Sequence, residues 1–173
     1  NYPDATAVSV DGGKDFSSGR YYKNGDSAGS FNGNKDDYNA HYDSTTGTLT
    51  LDGYNGGSIT VGGTKSKITV VLVGNNSINN GRLESVWGGD ITVTSSSGGT
   101  LSITHTKTIS GSNPATGIEA GYGGSQTTGN VTITGDAKVT IKTTHNVTST
   151  YEKAYGIFAR ENITISGSAS VDI

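Results

Sequence analysis

The chain contains no cysteine, so neither disulfide bridges nor thiolate metal sites are available to it. Many extracellular bacterial proteins share that lack, which favours a bacterial surface over a eukaryotic secretory origin. No apolar run is long enough to span a bilayer, which excludes insertion through a membrane helix. There is no basic stripe either. Residues 1–52 hold eight Asp against Lys14, Arg20, Lys23 and Lys35, a balance of −4; the remainder carries seven acids against eight bases, a balance of +1. Neither part offers the phosphate-binding surface that a nucleic-acid partner requires. Helical periodicity is missing as well: no window sets apolar residues at i, i+3, i+4 and i+7 behind a cap.

Hydrophobic residues make up only 31% of the 173 positions, and glycine supplies 27 of them. That composition borders on disorder. The apolar residues are evenly phased, however. Asn130 to Ile141, NVTITGDAKVTI, recurs as NITISGSASVDI from Asn162 to Ile173 and, two residues longer, as DITVTSSSGGTLSI from Asp90 to Ile103. Alternation with period two sends Val131, Ile133, Val139 and Ile141 to one face and Thr132 and Thr140 to the other. A unit that repeats but cannot bury its own apolar face stacks on its neighbours.

Residues 1–45 do not match the repeat. Ala7–Val10 reads as a short strand, and Phe16, Tyr21, Tyr22, Phe31, Tyr38 and Tyr42 crowd into this segment. It reads as an N-terminal cap whose aromatics close one end of the core. Its Asp residues raise calcium as a cofactor, although no ordered D-x-D-x-D-G loop is present.

Residues 46–173 then form the coils. Gly47–Leu51, GTLTL, resembles GTLSI at Gly99–Ile103 and so reads as the third strand of an incomplete first coil. Ser58–Val61, Lys67–Val73 and Asn76–Ile78 make a whole coil. A strand near Ser85–Trp87 follows, with Ile91–Val93 and Leu101–Ile103. The next triplet is Gly117–Ala120, Val131–Ile133 and Val139–Ile141, and the last is Gly156–Ala159, Ile163–Ile165 and Val171–Ile173. Three short strands per coil, with excursions at fixed corners, describe an all-β fold: a right-handed parallel β-helix of about four three-sided coils. Core positions should include Ile91, Val93, Leu101, Ile103, Ile118, Val131, Ile133, Val139, Ile141, Ile157, Ile163 and Ile165. The start at Asn-Tyr-Pro marks a mature or excised form. Val171–Ile173 stops in mid-pattern, so further coils, or a second molecule, are expected to cover that edge.

The run AHYDSTTGTLTLDGYNGGSITV (Ala40–Val61), followed by KITVVLVGNNSI and the Gly-Ile-x-Ala, x-Ile-Thr-Ile-x-Gly and Val-x-Ile units, resembles the carbohydrate-binding β-helix domain of bacterial cell-surface proteins. That group includes polysaccharide-binding proteins of cellulose-degrading clostridia. The resemblance covers Ala40 to Ile173. It implies an extracellular or wall-associated protein that binds plant-type polysaccharide, with calcium as an associated ion. It carries over no catalytic residue.

Candidate site residues come from the outward positions of the first strand of each coil. In Gly-Ile-x-Ala the Ile and Ala face inward, which leaves Glu119 and Phe158 outside. Aligning Val86 with Ile118 and Ile157 places Trp87 outward in the same column, about 10 Å from Phe158 across two coils. Counting back from Asp90 without a gap turns it inward; the outward register is preferred because a narrow coil accommodates Val more easily than indole. Tyr122, Tyr151 and Tyr155 lie on flanking excursions, and Arg160 stands beside Glu161, which itself could approach Glu119. Exposed rings beside polar groups suit sugars, whose C–H faces stack while their hydroxyls hydrogen-bond. The binding set is therefore Trp87, Glu119, Tyr122, Tyr155, Phe158 and Arg160.

Other functions fit less well. A polysaccharide lyase or hydrolase needs clustered carboxylates, and the repeats hold no Asp-Asp or Asp-x-Asp pair. His105 and His145 each follow a third strand without a visible third metal ligand. Thr92-x-Thr94, Thr132-x-Thr134 and Thr164-x-Ser166 form a ladder of the ice-binding kind, yet the first coil breaks it, and Thr is also a good strand residue. An adhesin-like spacer requires only the rod. The expectation is a non-enzymatic polysaccharide binder of the bacterial surface.

Overall fold

A computed structural model describes residues 2–16, 20–108, 113–122, 125–146 and 153–173. The described residues form strands and turns with no helix, and the strands build three sheets. In chain order the strands are β1 (Ala7–Val10), β2 (Lys14–Asp15), β3 (Tyr21–Tyr22), β4 (Ala40–Asp43), β5 (Thr48–Asp52), β6 (Asn55–Gly56), β7 (Ile59–Gly62), β8 (Ile68–Val73), β9 (Asn75–Ile78), β10 (Leu83–Ser85), β11 (Ile91–Ser95), β12 (Thr100–Lys107), β13 (Ala115–Ala120), β14 (Val131–Gly135), β15 (Lys138–His145), β16 (Ala154–Ala159), β17 (Ile163–Ile165) and β18 (Ser170–Asp172). From β7 onward every third strand pairs in parallel. The first sheet runs β2-β1-β7-β10-β13-β16, the second β3-β4-β5-β8-β11-β14-β17, and the third β6-β9-β12-β15-β18.

Alternation explains why the sheets close around one core. The inward rows Leu49–Val70–Val93–Ile133 and Leu101–Val139 are buried, whereas their outward neighbours meet solvent. Side chains of matching type stack strand upon strand, so an apolar residue on an inner strand is covered on both sides. The ladder also has a polar rail. Asp90 Oδ1 accepts from the Asn130 backbone and side-chain amides at 3.1 and 2.9 Å, and Asn130 Oδ1 accepts likewise from Asn162 at 3.2 and 3.0 Å. This rail sits immediately before β11, β14 and β17 and aligns their starts. The Asn-x-Thr tripeptides at Asn130 and Asn162 belong to it.

The N-terminal segment joins the same core. β1 runs antiparallel to β7, and β4 antiparallel to β5. Phe16, Tyr22, Tyr42 and Tyr54 are buried, and Phe31 meets Phe16 and Tyr22 edge-on, both at 5.3 Å between ring centroids. Their hydroxyls find partners, as buried polar groups must. Tyr22 donates to Asp11 Oδ2 at 2.9 Å, and Tyr54 to the Gly57 carbonyl at 2.8 Å. Burial and the adjacent Asp11 carboxylate push the Tyr22 phenol up to about 12.

Three expectations need correction. GTLTL is a second-sheet strand, not a third-sheet one: Leu49 and Leu51 stand opposite Val70 and Leu72, and its likeness to GTLSI reflects only shared alternation. The strand expected near Ser85–Trp87 lies earlier, at Leu83–Ser85, because Leu83 rather than Val86 is the partner of Ile118. Ile163 and Ile165, expected in the core, are 48% and 50% exposed, and Ile157 is only half-buried. Their strands pair on one side alone, so nothing stacks on their other side. The remaining nine expected core residues are buried.

On the second sheet the threonine ladder is longer than the sequence suggests. Thr48, Thr69, Thr92, Thr132 and Thr164 stand in unbroken register. Only the parallel column is interrupted, by Val71 between Thr50 and Thr94.

Candidate binding site

The first sheet carries the site. Its outward column reads Thr60, Glu84, Glu119, Phe158, one residue from each of β7, β10, β13 and β16. The third position shows how the local sequence allows this. Gly117 lets the strand lie against the core, since a Cβ there would meet Ile141 Cγ2 at 2.4 Å. Ile118 and Ala120 then bury, and Glu119 points out beside Thr116.

Glu119 does not reach solvent freely, contrary to its expected exposure. It is buried beneath Arg82, whose Nη1 lies 3.3 Å from Glu119 Oε2 while its Nε lies 2.8 Å from Glu84 Oε2. Thr116 donates to Glu119 Oε2 at 2.7 Å, and Thr60 to Glu84 Oε1 at 3.2 Å. One guanidinium thus serves two carboxylates on neighbouring strands. Burial pushes the Glu119 carboxyl above its ordinary value near 4.5; the Thr116 hydroxyl and Arg82 pull the other way, and Glu84 adds repulsion.

Trp87 is 47% exposed, as expected, but not in the column, where Glu84 takes its place. It sits instead on the turn that leaves β10. Gly88 holds that turn at φ +74°, and a Cβ there would stand 2.5 Å from the Thr128 carbonyl oxygen. Ser85 Oγ accepts from the Gly89 amide at 3.1 Å, and Thr128 Oγ1 donates to the Gly88 carbonyl at 3.0 Å. The indole is therefore presented by a fastened turn. It shares with Tyr122 a groove of about 280 Å³, floored by Arg82, Glu84 and Glu119, with the amides Asn113 and Gln126 on its walls.

The other expected residues gather one strand further on. Phe158 is half-buried between Tyr122 and Tyr155, at centroid distances of 5.0 and 5.6 Å, and the Arg160 guanidinium lies 5.5 Å from the Phe158 ring. Arg160 Nε donates to the Gly121 carbonyl at 3.2 Å. Tyr122 belongs to both groups and links them. Tyr151 lies outside the described residues. Glu161 does not join Glu119: it accepts from Asn130 Nδ2 at 2.8 Å and from the Gly129 amide at 3.2 Å.

Arg82 and the column role of Glu84 escape a reading by repeat alone. Their signal is present: Leu83-Glu84-Ser85 and Ile118-Glu119-Ala120 are the same apolar–Glu–small triplet.

His105 and His145 lie on adjacent strands but are not register partners. His105 is opposite Thr143 and His145 opposite Lys107, and His105 Nδ1 lies 2.7 Å from the Thr116 carbonyl. Among the described residues no three His, Asp or Glu side chains converge. Asp11 pairs with Lys14, Asp36 with Lys35 and Asp37 with Lys23, while Asp26 accepts from Asn32 and the Lys23 amide.

Comparison with family models, curated proteins and solved structures gives no match.

Proposed function

We propose that the chain is a non-catalytic polysaccharide-binding module of a bacterial cell surface, built as a right-handed β-helix of about four three-sided coils. The observation that carries the binding is the groove in which Trp87 and Tyr122 stand over Arg82, Glu84 and Glu119. An indole held half-open by a fastened turn supplies a stacking plane. The planar guanidinium, carboxylates and amides beside it match the hydroxyl edges of a sugar ring. Catalysis is a poorer reading, because the two carboxylates of the groove are both committed to Arg82. A glycosidase needs one free to donate a proton and the other free to attack or activate water.

The test is retention on insoluble cellulose and xylan, with and without a chelator. The native protein should be held in both conditions. Trp87→Ala should lose roughly tenfold or more in affinity, as expected for a central aromatic anchor, with an unchanged melting temperature. Native binding that survives Trp87→Ala would remove the site, and failure to bind any polysaccharide would remove the function.

One observation favours a second reading. Two adjoining outward columns across β5, β8, β11, β14 and the β17 edge hold eight Thr, Val71 and Ser166, and the next outward pair, Asp52 opposite Val73, brings the first charge at their margin. A flat, uncharged hydroxyl-and-methyl array suits an ordered water lattice, and thermal hysteresis by the purified protein is its measurement.

A further inference from the structure

The outward residues of the first sheet continue in line beyond the groove. Asp15 stands opposite Ser9, Ser9 opposite Thr60, Thr60 opposite Glu84, Glu84 opposite Glu119, and Glu119 opposite Phe158. Six strands are crossed in a single row. Hollows accompany most of it. A cavity of about 520 Å³ opens over Asp15, Ser9 and Thr60, with Phe16 and Tyr42 at its base. Another, of about 280 Å³, lies over Arg82, Glu84 and Asn113, beside His105 and Lys107, and shares those first three residues with the Trp87 groove. The Thr60–Glu84 hydrogen bond joins the row between the first cavity and the second.

Neighbouring strands are about 4.8 Å apart, close to the advance of one hexose along an extended chain linked through equatorial bonds. A polymer laid across the strands therefore presents one sugar to each strand, and its repeat keeps step with the row. A branched or coiled glycan would lose step after one or two residues. Charge narrows the class further. In the Trp87 groove two carboxylates outnumber the single guanidinium, and Asp15 adds a third at the far end of the row. The Lys107 ammonium, hydrogen-bonded to the Asn113 carbonyl in the middle cavity, adds a second cation, so the carboxylates of the path still outnumber its cations by three to two. A uronate carboxylate entering the Trp87 groove would meet Glu84 and Glu119 with Arg82 already bonded to both.

We infer that the first sheet binds an internal stretch of a neutral, linear, equatorially linked polysaccharide, laid across the strands from the Ser9–Thr60 cavity to the Trp87 groove. This rests on the polysaccharide-binding reading, and goes beyond it in naming the polymer's linkage, charge and path.

Calorimetric titration of the full chain with cellobiose through cellohexaose tests it, with hexagalacturonate as the charged comparison. Affinity should climb at least ~10-fold from cellobiose to cellohexaose, equivalent to about 1.4 kcal/mol, and exceed that for hexagalacturonate. Ser9→Arg, in the first cavity, should return cellohexaose to the cellobiose level while leaving cellobiose itself unchanged. Ala7→Arg, at an exposed position of the same cavity, replaces it if the Ser9 variant misfolds. Equal affinity for cellobiose and cellohexaose, with both lost in Trp87→Ala, would overturn this inference and leave the functional reading standing. Tighter binding of hexagalacturonate would overturn the neutral-polymer assignment. Absence of binding to every polysaccharide would overturn both.

Discussion

Glu84 and Glu119 are register partners on adjacent parallel strands, and the single guanidinium of Arg82 bonds to both. Like charges placed opposite one another destabilise a sheet, so the pair is tolerable only with the cation between them. Arg82→Met should therefore destabilise the domain by about 1–3 kcal/mol, the cost of leaving a buried polar group unsatisfied. Urea denaturation reads this directly. The double variant Arg82→Met with Glu119→Gln should recover part of the loss, because the carboxylate left unpaired is then gone.

The Glu119 carboxylate sets a pH dependence whose sign is opposite to that of Asp11 and Asp26 in the N-terminal segment. Glu119 titrates above its ordinary value in the folded chain, so between about 4.5 and its raised value the native state holds more protons than the unfolded state. Stability then falls as pH rises through that window. Asp11 and Asp26 behave in reverse. Burial works against their ionisation, yet Lys14 and the Gly57 amide hold Asp11 below its ordinary value of 3.8, and the Lys23 and Asn32 amides do the same for Asp26. Their contribution is present above 3.8 and is lost as pH drops further. Melting temperature against pH should show an acid limb from the aspartates and a decline above about 4.5, and Glu119→Gln should flatten only the decline.

Strand stacking predicts a contrast between two equivalent isoleucines. Ile133 and Ile165 are direct partners, but the first is buried and the second half exposed. Ile133→Ala should cost about 2–5 kcal/mol. Ile165→Ala should cost roughly half of a full burial term or less, near 1 kcal/mol. Equal losses in chemical denaturation would mean that the last strands are covered in solution.

Gly88 sets the backbone of the turn that presents Trp87. Its left-handed φ and the close Thr128 carbonyl leave no room for a side chain. Gly88→Ala should destabilise by more than about 1 kcal/mol and weaken cellulose retention, since the turn it distorts presents Trp87. A variant that melts lower but binds as before would separate the turn from the site.

Much of the fold was legible because period-two alternation and the recurring x-Ile-Thr-Ile unit fix which face of each strand is buried. The misplacements share one cause. Where a strand was identified by likeness to another strand, as with GTLTL or the segment around Trp87, alternation fits several registers equally well. Only pairing with a neighbour decides among them, as Leu83 opposite Ile118 does. The site was half visible. Of the expected set, Trp87, Glu119 and Tyr122 line the groove, whereas Phe158 packs between Tyr122 and Tyr155 beside Arg160, and the contact that Arg82 makes with the buried Glu119 is one that no local pattern announces.

The lengths of the connecting segments vary while the ladders do not. Ile91, Val131 and Ile163 stand in one register although 40 and 32 residues separate them. The difference falls in the stretches of sequence between the ladder strands, residues 108–114, 121–130 and 146–153, and Asn113, Tyr122 and Gln126 of the groove wall come from the first two of these. Mutation can therefore lengthen or shorten the wall of the groove without paying in core packing. The ladders and the groove wall are free to diverge at different rates, as in a repertoire that exchanges loops on a constant frame.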